Sequence, residues 1–212
     1  MNFVHKLFEP KVLKRVHEDG KRLYVTEQGN YYPSVTTALS YLSRKGIQEW
    51  RKRVGTETAN KIGSQHNIAE KYVLNDPSWK DAMPIPLEKF KTIQPYLDEN
   101  INKIYGVELQ MYSDQLKTAG TADLICEYNG VPTVLDFKTS RQPKTKDQIL
   151  NYFMQGTAYS IMVKEHYGVD IEQIVILMAV TDDSPLVFIE PVAQYEKMVR
   201  KYFELYTAGK LV

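Results

Sequence analysis

Asp123, Asp136 and Lys138 are the residues of this chain whose types and spacing are best suited to chemistry. The two aspartates flank Asn129-Gly130, and the lysine follows the second aspartate after one residue. If the intervening segment folds back on itself, two carboxylates and an ammonium meet at one spot. Opposed carboxylates repel unless something positive stands between them, so such a group draws in a cation.

The acid-x-Lys triplet by itself carries little weight. It occurs at Glu9/Lys11, Asp19/Lys21 and Asp136/Lys138, and the first two read as solvated surface. What singles out the third is the hairpin around it. Asn-Gly suits a two-residue type I′ turn, and residues 121–128 and 131–139 are rich in β-branched and apolar side chains. The turn sets a register in which Tyr128 faces Val131, followed by Glu127/Pro132, Cys126/Thr133, Ile125/Val134, Leu124/Leu135 and Asp123/Asp136. Pro132 then falls at a non-hydrogen-bonded pair, where its missing N–H costs nothing. Period two puts Lys138 on the face of Asp136 and turns Leu135 and Phe137 to the other.

Gly120-Thr121-Ala122-Asp123, a hairpin, then Asp136-Phe137-Lys138-Thr139-Ser140 resembles the core of the PD-(D/E)XK nuclease superfamily, in particular its RecB-like branch. Thr-Ala-Asp stands where the superfamily name has Pro-Asp. Tyr32-Pro33-Ser34-Val35-Thr36 resembles the opening of the mitochondrial genome maintenance exonuclease type, although Ser34 serves equally as a helix N-cap. The resemblance implies that Asp123, Asp136 and the backbone carbonyl of Phe137 hold Mg2+ or Mn2+, with Lys138 orienting the attacking water. Gly63-Ser64-x-His66-x-x-x-Glu70 is similar to a family motif in which the histidine ligates metal and the glutamate supports the site. The same i, i+4 spacing also suits a plain His–Glu pair on a helix. Glu108 resembles an acidic position of the branch, with a structural role equally open. Gln155-x-x-x-Tyr159 is similar to the motif after the lysine, where the pair contacts the site and the DNA strand.

The implied activity is metal-dependent DNA hydrolysis, by an exonuclease on single strands or free ends in replication, repair or recombination. A structure-specific flap or junction endonuclease would use the same site. A non-catalytic nucleic-acid-binding protein on a nuclease fold is a further alternative, against which the retained Asp123, Asp136 and Lys138 argue. Facing carboxylates should leave the metal-free hairpin strained, so that Asp136→Asn would stabilise it.

The elements that must position these groups fit one nuclease domain over 212 residues, 43% hydrophobic and 25% charged. A net charge of +1 means that any nucleic-acid contact comes from a local patch. Cys126 is the single cysteine, which excludes a disulfide framework and a four-cysteine iron–sulfur cluster. With no run of membrane-spanning length and no signal-peptide core, the expected setting is intracellular.

The periodicities divide the chain into an N-terminal hairpin region (1–33), a helical segment (34–104) and a catalytic sheet with helices (107–212). The first contains a hairpin over 14–25 turning at Asp19-Gly20, with an edge strand at 31–33. Helices are expected from Ser34 to Leu42, over 47–54 with Trp50 inward, and over 56–74 carrying Gly63, His66 and Glu70. Residues 75–86 read as an irregular loop over the site, and 88–104 as a helix kinked at Pro95. After a strand at 107–112 and the hairpin, a helix over 147–167 carries a stripe of Gln148, Tyr152, Gln155 and Tyr159. Strands at 174–180 and 186–189 and a helix over 195–206 complete an α/β fold. Its central mixed sheet flanked by helices is the restriction-endonuclease-like core that the resemblance implies.

Overall fold

The computed structural model describes residues 2–18, 21–40, 65–181 and 183–210. A six-stranded mixed sheet runs in the order β1 (Val4–His5), β5 (Ile101–Ser113), β6 (Thr118–Tyr128), β7 (Val131–Ser140), β8 (Gln173–Val180) and β9 (Leu186–Pro191). A second sheet joins β2 (Lys14–Glu18), β3 (Lys21–Val25) and β4 (Tyr31–Pro33). Five helices accompany them among the described residues: α1 (Val35–Leu39), α2 (65–73), α3 (Pro84–Asn100), α4 (Leu150–Tyr167) and α5 (Ala193–Thr207).

Alternation along the strands gives the large sheet two apolar faces. Ile125, Val134, Ile174 and Ile176 pack with Val35, Phe153, Val199 and Phe203 on the side of α1, α4 and α5. Leu124, Leu135, Val175 and Leu177 pack with Ile68, Val73, Phe90 and Leu97 on the side of α2 and α3. Burial on both faces is why β8 reads as an unbroken apolar run.

The small sheet is tied to the large one through β6. Tyr24 and Tyr32 bury against Ala119, Thr118 Oγ1 donates to the Pro33 carbonyl at 2.8 Å, and Tyr32 donates its hydroxyl to Asp114. Ser34 caps α1 as expected, accepting from the Thr37 N–H.

Several expected boundaries shift for physical reasons. The helix placed at 88–104 begins at Pro84, where prolines are tolerated for want of an N–H partner, passes through Pro95 unbroken and ends at Asn100. Ile101 and Ile104 belong to β5, whose register slips between them and again before Gly106. The irregularity turns both inward, so a strand imitates the i, i+3 spacing of a helix. The segment 75–86 is anchored rather than lid-like. Asp76 caps a 3-10 turn at Pro77–Asp81, and Trp79 lies edge-on to Tyr72 and Phe90, with centroids 5.1 and 5.7 Å away. Gln148 leaves the expected stripe, because it forms a capping box with Thr145 ahead of α4. β1 was not foreseen. The helix over 47–54, Trp50, the start of the 56–74 helix and Gly63 lie outside the described residues.

α4 lies close on the sheet at Gly156, where an added Cβ would meet Ile174 Cγ2 at 2.5 Å. Gly156→Ala gains about 1 kcal/mol of helix propensity but overpacks a buried β-branched neighbour, which costs about 1–3 kcal/mol. The net loss of up to about 2 kcal/mol lowers the expected melting temperature by up to about 8 °C. Adding Ile174→Ala should be less damaging in the Gly156→Ala background than alone, measured as a double-mutant cycle.

Candidate active site

The expected register holds for five pairs, from Tyr128↔Val131 to Leu124↔Leu135, and then the ladder stops. Beyond it β6 pairs with β5, out to Thr118↔Ser113, with one isolated parallel bridge from Ala119 to Ser34, and β7 pairs with β8, out to Ser140↔Val180. The sheet forks at the position where Asp123 and Asp136 were expected to face each other. In the fork the Phe137 N–H donates to Asp123 Oδ2 at 2.9 Å. A side-chain carboxylate thus takes the main-chain donor that the ladder gives up.

Asp123 instead lies opposite Glu108, since the β5/β6 register runs Val107↔Leu124 and Leu109↔Ala122 on either side. Glu108 adopts φ +46° in the middle of a strand, a left-handed conformation unfavourable for a residue with a side chain. His66 on α2 completes the group, with Nδ1 3.3 Å from Asp123 Oδ2. Ligand atoms of His66, Glu108 and Asp123 all lie within 4.8 Å of one another. Burial lowers the His66 pKa from its ordinary 6.5, against the pull of Asp123, which favours the neutral imidazole that a metal requires. Partial desolvation pushes Glu108 up to about 7, reinforced by Asp123, Glu70 and Asp136. Glu70 therefore acts on the cluster by its field, from outside the three-residue set.

Asp136 and Lys138 form a separate pair. Asp136 is 1% exposed. Its Oδ2 is in ion-pair contact with Lys138 Nζ. Its Oδ1 accepts from Gln155 Nε2 at 3.1 Å. Burial drives the Asp136 carboxyl upward and the Lys138 ammonium opposes it. For Lys138, burial acts downward, yet Asp136 and then Asp123 carry it above the ordinary lysine range. The ammonium also sits 5.0 Å from the centroid of the Tyr152 ring. Tyr159 is buried against Gly120, where an added Cβ would lie 2.9 Å from its hydroxyl.

These groups open into a cleft of about 470 Å³ whose lining includes Asp123, Glu108, Lys138, Gln155 and Tyr159. Its far wall comes from the N-terminal segment, with Leu13, Arg15, Tyr24, Ser34 and Thr36. None of those wall residues was expected at the site from the sequence, because only the packing of the small sheet on Ala119 brings them there.

A family model for the PD-(D/E)XK nuclease superfamily matches residues 11–207. Among curated proteins none matches the chain. A candidate exonuclease from Eubacterium rectale, known from its crystal structure, aligns with a TM-score of 0.52 at 14% identity, covering 87% of this chain and 84% of that one. The structure of SSO0001 aligns with a TM-score of 0.37 at 16% identity, over 82% and 84% of the two chains. The first likeness supports the fold.

Two outcomes follow from these charges. A carboxyl whose pKa folding raises makes stability fall as pH climbs from its ordinary value, here 4.5, to about 7. His66, lowered by folding, acts the other way, so the comparison of wild type with Glu108→Gln isolates the glutamate. In EDTA the variant should match wild type below pH 4.5 and melt higher above pH 7. Screened on its open side, the effect is about 1 kcal/mol, or about 2–4 °C. For Asp136→Asn the earlier expectation of stabilisation is reversed, because the substitution strands the Lys138 ammonium. Removing one partner of such a pair costs about 3 kcal/mol. The single variant should melt lower in EDTA, and Asp136→Asn/Lys138→Met should recover most of the loss.

Proposed function

This chain belongs to the PD-(D/E)XK nuclease superfamily, and from that premise we propose that it is a Mg2+- or Mn2+-dependent deoxyribonuclease, an exonuclease acting on single strands or strand ends. The observation that carries the reading is the fork, where a neutral-favoured imidazole and two carboxylates converge beside a buried Asp–Lys pair. That donor set of one nitrogen and hard oxygens fits Mn2+ or Mg2+. His66, Glu108 and Asp123 would hold the ion, with the Phe137 carbonyl as a further oxygen.

A divalent cation bound there supplies charge to a phosphodiester oxygen and lowers the pKa of a coordinated water. The chain's own groups do the rest. Lys138 orients the attacking water and offsets charge that develops on the phosphate. Asp136 keeps that ammonium charged, and Gln155 fixes Asp136. Asp136 was expected as a ligand and Gln155 as a strand contact; their oxygen and amide atoms are here engaged with Lys138 and with each other. Tyr159, 3% exposed, shapes the cleft wall more than it offers a surface to a base. The cleft between the two sheets suits an extended strand better than the body of a duplex.

No helix among the described residues is long and apolar enough to cross a membrane. A single buried thiol suits a reducing, intracellular setting, where replication, repair or recombination supplies DNA ends.

End-labelled linear single strands, duplexes and closed single-stranded circles, incubated with and without Mn2+, test the reading. Linear strands should be consumed only with metal, while circles survive. Efficient nicking of circles would instead assign an endonuclease. Asp123→Asn and Lys138→Met should each lower turnover by about 100-fold or more, with oligonucleotide binding in EDTA changed much less, since phosphate contacts lie mostly elsewhere. Full activity in either variant would overturn the site.

A further inference from the structure

The N-terminal sheet supplies a second cation to the cleft, and nothing in the hydrolytic machinery accounts for it. Arg15 lies on β2 directly opposite Tyr24 of β3, which in turn lies opposite Tyr32 of β4. Cross-strand partners share a face, so all three point to the side of the sheet that packs on Ala119. Tyr24 and Tyr32 are each 5% exposed and anchor that face. Arg15 stands at its open edge and lines the cleft with Asp123, Glu108 and Lys138.

The arginine shares a cleft with Glu108 and Asp123, yet the ion pairs of the described residues do not include it. Asp123 is held by His66 and the Phe137 N–H, and Arg15 is not among the charges that act on Glu108. A guanidinium held on a strand beside the cleft, without a counter-charge among the described residues, matches the oxygens of a phosphodiester. Lys138 comes to the cleft from β7 of the large sheet, and Arg15 from β2 of the small one.

We propose that Arg15 is a substrate-positioning residue, which grips a backbone phosphate neighbouring the scissile one and makes the small N-terminal sheet the wall that guides a single strand into the cleft. This rests on the nuclease reading above. A phosphate contact of this kind is independent of sequence and strongly salt-dependent. His17 lies on the same face of β2, two residues on.

Lys14 provides the control. It is the adjacent residue on β2, it also carries one positive charge, and alternation turns it to the opposite face. Arg15→Ala, Arg15→Lys and Lys14→Ala remove or exchange charge at nearly the same place in the chain. Steady-state cleavage of a linear single strand in Mn2+ and equilibrium binding of the same oligonucleotide in EDTA are measured across a salt series. Arg15→Ala should raise KM about tenfold with kcat within twofold and unchanged melting temperature. It should weaken binding in EDTA similarly, and flatten the slope of log K against log salt by about 0.7, the value for one phosphate on a single strand. Arg15→Lys should recover part of the affinity, and Lys14→Ala should stay within twofold of wild type. Equal, small effects of Arg15→Ala and Lys14→Ala in a protein that cuts DNA would overturn the positioning role and leave the nuclease reading intact. A wild type that neither cuts nor binds a single strand would remove the nuclease reading, and this role with it.

Discussion

The hydrogen bond from the Phe137 N–H to Asp123 Oδ2 is the constraint on which the site depends. A regular hairpin would have continued its ladder and set Asp123 against Asp136. Strand separation leaves main-chain donors without partners, and a buried unpaired N–H costs about 1–3 kcal/mol. The aspartate removes that cost at the fork and is itself fixed by doing so. The two halves of the sheet then diverge, one led by β5 and β6 and the other by β7 and β8. Because both faces of the diverging strands are packed by helices, the fork cannot close again without emptying part of a core.

Within the fork, like charges are separated into two groups that meet different needs. Asp136 is taken out of water and matched to Lys138, so its charge is accounted for inside the protein. Glu108 and Asp123 remain together beside His66, and no lysine or arginine among the described residues forms an ion pair with them. Glu108 is also held at φ +46°, a conformation that costs a side-chain-bearing residue about 1–3 kcal/mol. Strain and like-charge repulsion at one residue are tolerated only where neighbouring structure fixes the backbone. Here the pairs Val107↔Leu124 and Leu109↔Ala122 do so on either side. A site destabilised in this way is relieved by a cation from outside, which ties its stability to its ligand.

Sequence alone exposed the parts of this design that are local. The Asn129-Gly130 turn gave five correct pairs, and Ser34 its cap. Hairpin chemistry is carried by adjacent residues and can be counted outward from the turn. The end of the ladder is different, because it is decided by β5 and β8 competing for the same strands, and no residue near Asp123 announces it. The partner of Asp123 was misread for the same reason, and Glu108 was seen only through a family resemblance. Ile101 and Ile104 misled because an irregular strand and a helix can place apolar residues at the same spacing. Arg15 was legible only as a residue of a hairpin, since its place in the cleft comes from the packing of one sheet on another.

The helix α4 turns the fork from an opening into a defined geometry. Gly156 brings its backbone down onto Ile174 of β8, and Gly120 of β6 makes room for the Tyr159 ring. The helix is thereby seated on strands from both sides of the fork at once. Between those contacts Gln155 reaches Asp136 on β7, and Tyr152 offers its ring to the Lys138 ammonium. A shift of α4 toward either side would loosen one glycine contact and crowd the other. The height and tilt of the helix are therefore set by two backbone approaches that only glycine permits. Through Gln155 and Tyr152, that seating fixes the direction in which Lys138 points. The polar residues of the Gln155-x-x-x-Tyr159 pattern are thus inseparable from the glycines that let them close.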